Sequence, residues 1–194
     1  MINLKQGAKL GDHRRIERRW GATLRFVREY LDWTIKDVLD IGEHNEFGEK
    51  MAYVLSLEYH STKGNLNNIE WLVSFRVEPD IVFCFEILEH LKNPDLFLSN
   101  LQSACSDDAQ VFLSYPQNPL FLRGKHHFHE FKDDEFLTLI DPYFEVVAHK
   151  RTPHWNDWWY YFTGVRPVLR FFCQLFGLSR LNLYYLNPKM EKVN

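Results

Sequence analysis

The stretch VLDIG at residues 38–42 decides the fold. It is a short apolar run that ends in an acid and a glycine, which is typical of a buried parallel strand at its carboxyl end. A glycine at that point lets the backbone turn sharply or lets a ligand come close to it. Residues 36–42 therefore predict a first strand that leads into a binding loop.

Outward from this strand, short apolar runs alternate with helical patterns along the chain. The most apolar run, residues 80–85, predicts the central strand of the sheet. Alternation at this spacing predicts an α/β fold, an open parallel sheet with helices on both faces. Further strands are predicted at residues 53–58, 69–75, 109–115, 144–148 and 181–186, and helices at residues 13–31, 46–52, 94–104, 133–140 and 165–178.

The composition fits a single domain that spans residues 1–194. The chain is 45% hydrophobic and 25% charged, which is enough apolar material for a core. A net charge of −3 gives no overall field that would attract a polyanion, so nucleic acid is not an expected partner. The three cysteines, Cys84, Cys105 and Cys173, lie far apart without a CxxC spacing and indicate neither a zinc site nor disulfides.

Two segments have a special composition. Residues 13–31 carry apolar residues at helical spacing with six arginines among them, which predicts an amphipathic helix whose basic face is either solvated or bound to an anionic partner. Residues 153–180 form an aromatic insertion with Arg166 and Arg170, which covers the sheet or packs a dimer in one interpretation. In two others, residues 155–178 contact a membrane surface peripherally, or the insertion walls off a ligand pocket.

The sequence also indicates a cellular compartment. Its first residues lack an apolar leader, and no run of about 18 apolar residues occurs in it. The cysteine pattern is that of a reducing environment. We therefore expect a cytoplasmic protein, and the aromatic insertion leaves peripheral attachment to a membrane as the alternative.

Polar side chains follow three of the predicted strands at their carboxyl ends. Asp40 and Gly42 end the first strand, Glu58 ends the second, and the run FEILEHL at residues 85–91 follows the central one. Ligands of open parallel sheets bind at this edge. A carboxylate such as that of Glu58 can accept hydrogen bonds from both hydroxyls of a ribose, although an exposed acid at a strand end is just as ordinary. Together the three features predict a nucleotide or cofactor site.

These motifs resemble those of class I S-adenosylmethionine-dependent methyltransferases. The resemblance rests on VLDIG at residues 38–42, on Glu58, on DIVFCFEILEHL at residues 80–91 with the following Asn93-Pro94, and on HHFHEF at residues 126–131. The LEHL run is the most specific of them, and residues 181–186 are similar to the final antiparallel strand of that family. The resemblance implies a doubly wound, mostly parallel Rossmann-like sheet, with S-adenosylmethionine as the cofactor.

The same resemblance implies roles for individual residues around the cofactor. Gly42 would let the backbone approach the ligand closely. The implied cofactor-binding residues are Asp40, Gly42 and Glu43 beside the methionine part, Glu58 at the ribose, Tyr59, Asn65 and Leu66 at the adenine, and Phe85 and Glu86 near the sulfonium.

The glycine-rich loop of the family is degenerate in this chain. Where the family shows Gly-x-Gly-x-Gly, residues 42–46 read GEHNE and keep only the first glycine. Histidine and asparagine tolerate a positive φ better than most residues, so one interpretation is a loop of altered geometry that still binds the cofactor. The alternative is a non-catalytic methyltransferase-fold binding module that has lost it.

The predicted activity is methyl transfer to a hydroxyl of a saccharide, a lipid-linked intermediate or another small metabolite. Methyl transfer depends mainly on alignment, but a hydroxyl acceptor must also lose its proton, and a histidine suits that task near neutral pH. His90, His127 and His129 are the candidates, although a histidine after a strand often only bonds a neighbouring carbonyl.

Two other chemistries are not expected from the sequence. A metal site at His126, His127 and His129 is disfavoured because neighbouring side chains on an extended segment point to opposite faces. A nicotinamide-dependent oxidoreductase is disfavoured because the dinucleotide fingerprint needs its glycines around a pyrophosphate. We therefore expect no metal and no nicotinamide cofactor.

Overall fold

A single six-stranded sheet organises the protein. The computed structural model describes residues 10–74, 78–124, 126–153 and 158–189. The strands are β1 (Asp37–Asp40), β2 (Glu58–Ser61), β3 (Ile81–Phe85), β4 (Gln110–Gln117), β5 (Phe144–Pro153) and β6 (Arg180–Pro188), in the order β2-β1-β3-β4-β6-β5. Strands β1 to β4 are parallel, and β6 runs antiparallel to both β4 and β5. The predicted α/β fold, mostly parallel and Rossmann-like with a final antiparallel strand, is confirmed.

Five α-helices accompany these strands among the described residues, one before β1 and four between strands. Asparagines cap two of them, since the side-chain oxygens of Asn45 and Asn93 accept hydrogen bonds from the backbone N–H groups of Gly48 and Leu96, respectively. The helices are α1 (Leu10–Tyr30), α2 (Glu46–Leu55), α3 (Pro94–Ala104), α4 (Asp133–Ile140) and α5 (Val165–Leu175). Short 3₁₀ segments lie at Glu70–Ser74, Leu88–His90, Leu120–Leu122 and Trp158–Phe162.

The sheet carries a hydrophobic core on each face. Alternate residues of β3 point to opposite sides: Ile81 and Phe83 join the cluster that includes Phe26 of α1 and Met51 of α2. Val82 and Cys84 join the other cluster, which α3 and α4 cover. The helices therefore lie on both faces, as a doubly wound sheet requires. No described helix has the length and apolar character needed to cross a membrane.

The predicted second strand at residues 53–58 is wrong. Helix α2 continues to Leu55, and Ser56 ends it with a φ of 59°. Met51, Ala52 and Leu55 are buried whereas Tyr53 and Val54 are exposed, so the apolar run is one face of a helix and not a buried strand. As a result Glu58 is the first residue of β2, opposite Asp37, and does not end a strand.

The predicted third strand at residues 69–75 is also wrong in the part that the structure describes, while residue 75 lies outside it. Residues 70–74 form a 3₁₀ segment instead. Asn65 and Asn68 turn the preceding chain by accepting backbone N–H groups from Asn67 and Glu70. Trp71 is fully buried against the ring of Phe97, at 5.2 Å between centroids, and so anchors the segment to the core.

The aromatic insertion lies between β5 and β6. Pro153 at the end of β5 pairs with Arg180 at the start of β6, and Arg180 also pairs with Gln117 at the carboxyl end of β4. The insertion therefore leaves and rejoins the sheet at its carboxyl edge. Its helix ends at Leu175 and not at 178, and residues 154–157, including Trp155, lie outside the described residues.

Gly48 on α2 offers a test of the packing between this helix and the sheet. A Cβ there would overlap the Asp40 carboxylate and lie 2.8 Å from a ring carbon of Tyr59, so Gly48→Ala should destabilise the fold by about 1–3 kcal/mol. Gly21→Ala on α1 is the matched control, because its Cβ would contact only the mobile end of Arg25 at 3.5 Å. Urea denaturation should show the control unchanged or more stable by about 0.5–1 kcal/mol. Equal effects of the two changes would contradict this account.

Candidate active site

Four loops meet at the carboxyl edge of the sheet. Because β1 to β4 are parallel, the residues that follow them emerge on the same side. These are the loops that begin at residues 41, 62, 86 and 118, and the last of them carries the histidine cluster. The predicted site residues that truly follow a strand are therefore brought to one place.

The loop after β1 is held from inside by Asp40. This side chain is buried, and its Oδ2 accepts hydrogen bonds from the Asn45 amide at 2.7 Å and from the Tyr59 hydroxyl at 2.9 Å. Burial raises the pKa of Asp40 to about 6, although the two hydrogen bonds act in the opposite direction. The hydrogen bonds of Asp40 to Asn45 and Tyr59 therefore fix the loop after β1 to β2.

The degenerate loop folds without strained replacements for the missing glycines. Gly42 keeps the one positive φ of the turn, 114°, and its N–H donates to the Thr62 hydroxyl at 2.7 Å. His44 and Glu46 stand where the family has its other glycines, and neither has a positive φ. Glu46 begins α2, and Glu43 and His44 are exposed at the edge. The single glycine is sufficient for this backbone path.

Glu58 lies at the wrong end of β2 for a ligand at this edge. It precedes the end of the strand by three residues, a distance of about 10 Å along the chain. The carboxyl end of β2 instead presents Ser61, the buried Thr62 and the exposed Lys63. Glu70 is the one acidic residue among described positions 61–74. The expectation of an acid at the end of the second strand is thus wrong in its geometry.

The loop after β2 also contains two of the three residues that the resemblance assigned to the adenine, and the third, Tyr59, lies within β2. Asn65 is exposed, and its side-chain oxygen accepts hydrogen bonds from Asn67. Leu66 is partly buried and packs against the core cluster that contains Trp71. Both residues follow β2 and stay near the carboxyl edge, so their assignment to the adenine remains a prediction.

The end of β3 is formed as the sequence predicted. Phe85 is half-buried, and Glu86 follows with a φ of 56°, its N–H donating to the carbonyl of Ser114 at 2.9 Å. The Phe85 ring lies 5.7 Å from that of Phe47, which stacks on Trp20 at 4.7 Å. This aromatic row of Trp20, Phe47 and Phe85, which runs from α1 to the carboxyl edge, was not predicted from the sequence.

Two histidines face each other above the end of β3. The rings of His90 and His127 lie 4.8 Å apart and nearly perpendicular. His90 Nδ1 is 3.1 Å from the carbonyl oxygen of His126, and desolvation lowers the pKa of His90 below 6.5. His127 Nδ1 is 2.9 Å from a carboxylate oxygen of Glu130, whose side chain is 3% exposed. A carboxylate so placed holds its imidazole in one orientation and one tautomer.

The loop that carries His127 is fixed to the segment that carries His90. The carbonyl oxygen of Glu89 accepts the N–H groups of Phe128 at 2.7 Å and His129 at 3.3 Å, and Arg123 donates to the carbonyl of His127 at 2.8 Å. His129 itself stacks on Phe131 at 5.3 Å, away from the pair. Of the three histidines named from the sequence, the structure brings two together.

The same place holds a set of three potential metal ligands. Glu89, which is buried, His90 and His127 each offer one ligand atom, and these atoms lie within 4.8 Å of one another. The histidines that the sequence offered for a metal, at residues 126–129, are neighbours on one segment, whereas this set combines two segments of the chain. Neither Glu89 nor Glu130 was predicted as a site residue. The position of Glu130, three residues after His127, is a spacing from which it could have been predicted.

The comparisons with known proteins agree with this architecture. The family model described as Methyltransferase domain matches residues 13–181. The chain belongs to the methyltransferase domain family. Members of this family use S-adenosylmethionine, and S-adenosylhomocysteine is bound in two of the similar structures. No curated protein matches the chain by sequence.

Solved structures share the methyltransferase fold with this chain at low sequence identity. The O-methyltransferase domain of StiE is 10% identical with a TM-score of 0.62, and the match covers 95% of this chain and 79% of that one. Coclaurine N-methyltransferase bound to N-methylheliamine and S-adenosylhomocysteine is 14% identical with a TM-score of 0.58, over 95% and 73% of the chains. The [4+2]-cyclase SpnF is 8% identical with a TM-score of 0.54, over 88% and 80%.

The buried Asp40 predicts an unusual pH dependence of stability. Because its pKa is raised to about 6 from 3.8, the folded protein binds this proton more tightly than the unfolded chain. The free energy of unfolding should therefore fall, by about 3 kcal/mol, as the pH rises from about 4 to about 6, and then level off.

Asp40→Asn removes this titration and keeps an acceptor for Tyr59. Relative to the wild type, the variant should become more stable as the pH rises through this window, and denaturation at pH 4 and pH 7 measures the difference. Asp37→Asn, an exposed acid on the same strand, is the control for the loss of one carboxylate. A constant difference between wild type and Asp40→Asn across the window would refute the assignment.

Proposed function

We propose that this protein is an S-adenosylmethionine-dependent methyltransferase that acts on a hydroxyl, with the acceptor held against His127. The observation that carries the proposal is the pair of His127 and the buried Glu130, which lies at the same edge as the Gly42 turn and beside His90. A neutral imidazole oriented by a carboxylate is suited to accept a proton from a hydroxyl.

The residues at the edge fit the cofactor in most of its parts. A Cβ on Gly42 would meet nothing closer than Ile87 at 3.7 Å, so there is room beside this turn for the methionine part, next to Glu43. Phe85 and Glu86 offer an apolar ring and a carboxylate at the end of β3, and we propose that they would lie beside the sulfonium. In place of the expected acid, Ser61 offers a hydroxyl at the end of β2 for the ribose.

When bound, the cofactor supplies an electrophilic methyl group. The chain's own residues would position the acceptor and remove its proton: Glu130 fixes the His127 ring through Nδ1, which leaves Nε2 to accept the proton. His90 lies against this ring, and its lowered pKa favours the uncharged form at neutral pH. The acceptor class is a small molecule with a free hydroxyl, such as a saccharide, a lipid-linked intermediate or another metabolite.

A second function has support from one specific observation. The end of β2 lacks the acid that would bind a ribose. This absence is consistent with a binding module that keeps the methyltransferase fold but does not bind the cofactor. The similarity to a structure named as a [4+2]-cyclase is consistent with a fold that serves more than one chemistry. Direct binding of the cofactor separates the two functions.

Calorimetry with S-adenosylmethionine should give micromolar binding to the wild type. Gly42→Val should abolish it, because a branched side chain strains a φ of 114° and fills the space beside the turn. Glu58→Gln is the matched control and should leave the affinity unchanged, because Glu58 lies at the other end of β2. Absence of binding to the folded wild type would favour the binding module, and a loss on Glu58→Gln would restore the original ribose assignment.

Transfer of a labelled methyl group to a panel of hydroxyl-bearing acceptors tests the base. His127→Ala should lower turnover by about 10²-fold or more with cofactor affinity nearly unchanged. Glu130→Gln should lower it less and shift the pH profile, because the ring loses the carboxylate that orients it. His129→Ala is the control and should retain turnover, since this ring packs on Phe131. Loss of activity on chelation, restored by a divalent ion, would instead assign His127 to the ligand set with Glu89 and His90.

A further inference from the structure

Helix α5 exposes a continuous apolar face. Val165 at its start is 78% exposed, and Phe176 just beyond its end is 71% exposed. Between them, residues at three-to-four residue spacing share one side of the helix, which is the pattern of an apolar stripe. The members of this apolar face on and next to α5 are Phe162, Val165, Val168, Leu169, Phe172, Leu175, Phe176 and Leu178.

The opposite side of α5 is anchored to the protein, so the exposure is a property of a fixed helix. Cys173 and Gln174 are buried, and the Tyr161 hydroxyl bonds the Gln174 side chain. The Tyr161 ring also packs against Phe171 at 5.1 Å. Exposed apolar patches of this kind mark interaction surfaces.

The apolar face continues onto the loop that leads to the histidines. Leu120 and Phe121, in the 3₁₀ segment after β4, are 76% and 62% exposed. Arg166 and Arg170 of α5 join the two parts by donating to the carbonyl oxygens of Arg123 and Leu122, respectively. The surface so formed ends beside His127, at the acceptor side of the candidate active site.

The charge of this surface is positive although the whole chain has a net charge of −3. Residues 158–189 contain no aspartate or glutamate in the sequence, and neither do residues 116–128. Arg123 and Arg166 are exposed within it. A symmetric contact between two copies would bring two positively charged surfaces together, which disfavours a dimer through this face. A bilayer with anionic lipids complements both features, because its acyl region receives the apolar stripe and its headgroups attract the arginines.

We propose that this face binds the surface of a bilayer that contains anionic lipids, with α5 lying in the plane between headgroups and acyl chains. Aromatic and aliphatic side chains would enter the acyl region, while Arg123 and Arg166 meet the headgroups. Docking in this way turns the side that holds His90 and His127 toward the membrane. If the proposed function holds, the acceptor hydroxyl belongs to a molecule carried in that membrane.

Sedimentation of the full chain with vesicles tests the docking. The protein should bind vesicles of phosphatidylcholine with phosphatidylglycerol, and at least tenfold more weakly both to phosphatidylcholine alone and at high salt. Phe172→Glu should lower binding to the anionic vesicles at least tenfold. Val165→Glu should do the same with little risk to folding, because an acid is favourable at the start of a helix. Val147→Glu, at an exposed valine of β5, is the matched control and should bind as the wild type does.

Two outcomes would overturn the proposal. One is the absence of binding to anionic vesicles, and the other is a concentration-dependent dimer that Phe172→Glu dissociates, since the face would then belong to a second copy. Calorimetry with S-adenosylmethionine on the same variants keeps the two proposals apart. A protein that binds vesicles but not the cofactor would disprove the proposed function and leave the docking face intact.

Discussion

One buried carboxylate, that of Asp40, is the constraint on which the carboxyl edge depends. It binds Asn45 and Tyr59, and it lies so close to Gly48 that α2 can approach only because this residue has no side chain. Strand, loop and helix are thereby fixed to one another around a group whose charged form is disfavoured by burial. The folded protein thus loses stability at neutral pH through a residue of its candidate active site, and functional sites are where such costs are commonly found.

Secondary structure was predicted correctly from the sequence where a segment is buried on both faces. The prediction failed where a segment is buried on one face only. Residues 81–84 are buried, with side chains in the cores on both faces of the sheet, and their continuous apolar run was interpreted correctly. In residues 51–55 the buried side chains lie on one face of a helix, while Tyr53 and Val54 are apolar but exposed. The segment is therefore continuously apolar in sequence, and its end was interpreted as the start of a strand. The 3₁₀ segment at residues 70–74 depends on the burial of Trp71 against Phe97, a tertiary contact that no local pattern contains.

The candidate site could be predicted only as far as chain order places it at one edge. Phe85 ends a strand, and Gly42, His90 and His127 lie in loops that follow strands, so their meeting at one edge follows from parallel topology alone. The contacts that hold these residues depend on tertiary packing and could not be predicted. Glu130 contacts His127, the carbonyl oxygen of Glu89 binds the N–H groups of the histidine loop, and the Phe47 ring packs near Phe85. The error at Glu58 came from the displaced boundary of β2, because a shift of three residues moves a side chain from one edge of the sheet toward the other.

The position of the aromatic insertion allows it to change during evolution independently of the strands and of the turn at Gly42. Residues 154–179 leave the sheet at Pro153 and return at Arg180, which are paired with each other and adjoin the end of β4. Because β6 closes the sheet by pairing along its own length, this excursion can lengthen, shorten or change composition without moving any strand register. Selection can therefore reshape what approaches the histidines while the turn at Gly42, on the far side of β3, stays as it is. Divergence among relatives of this protein should accordingly concentrate in one excursion and spare the scaffold.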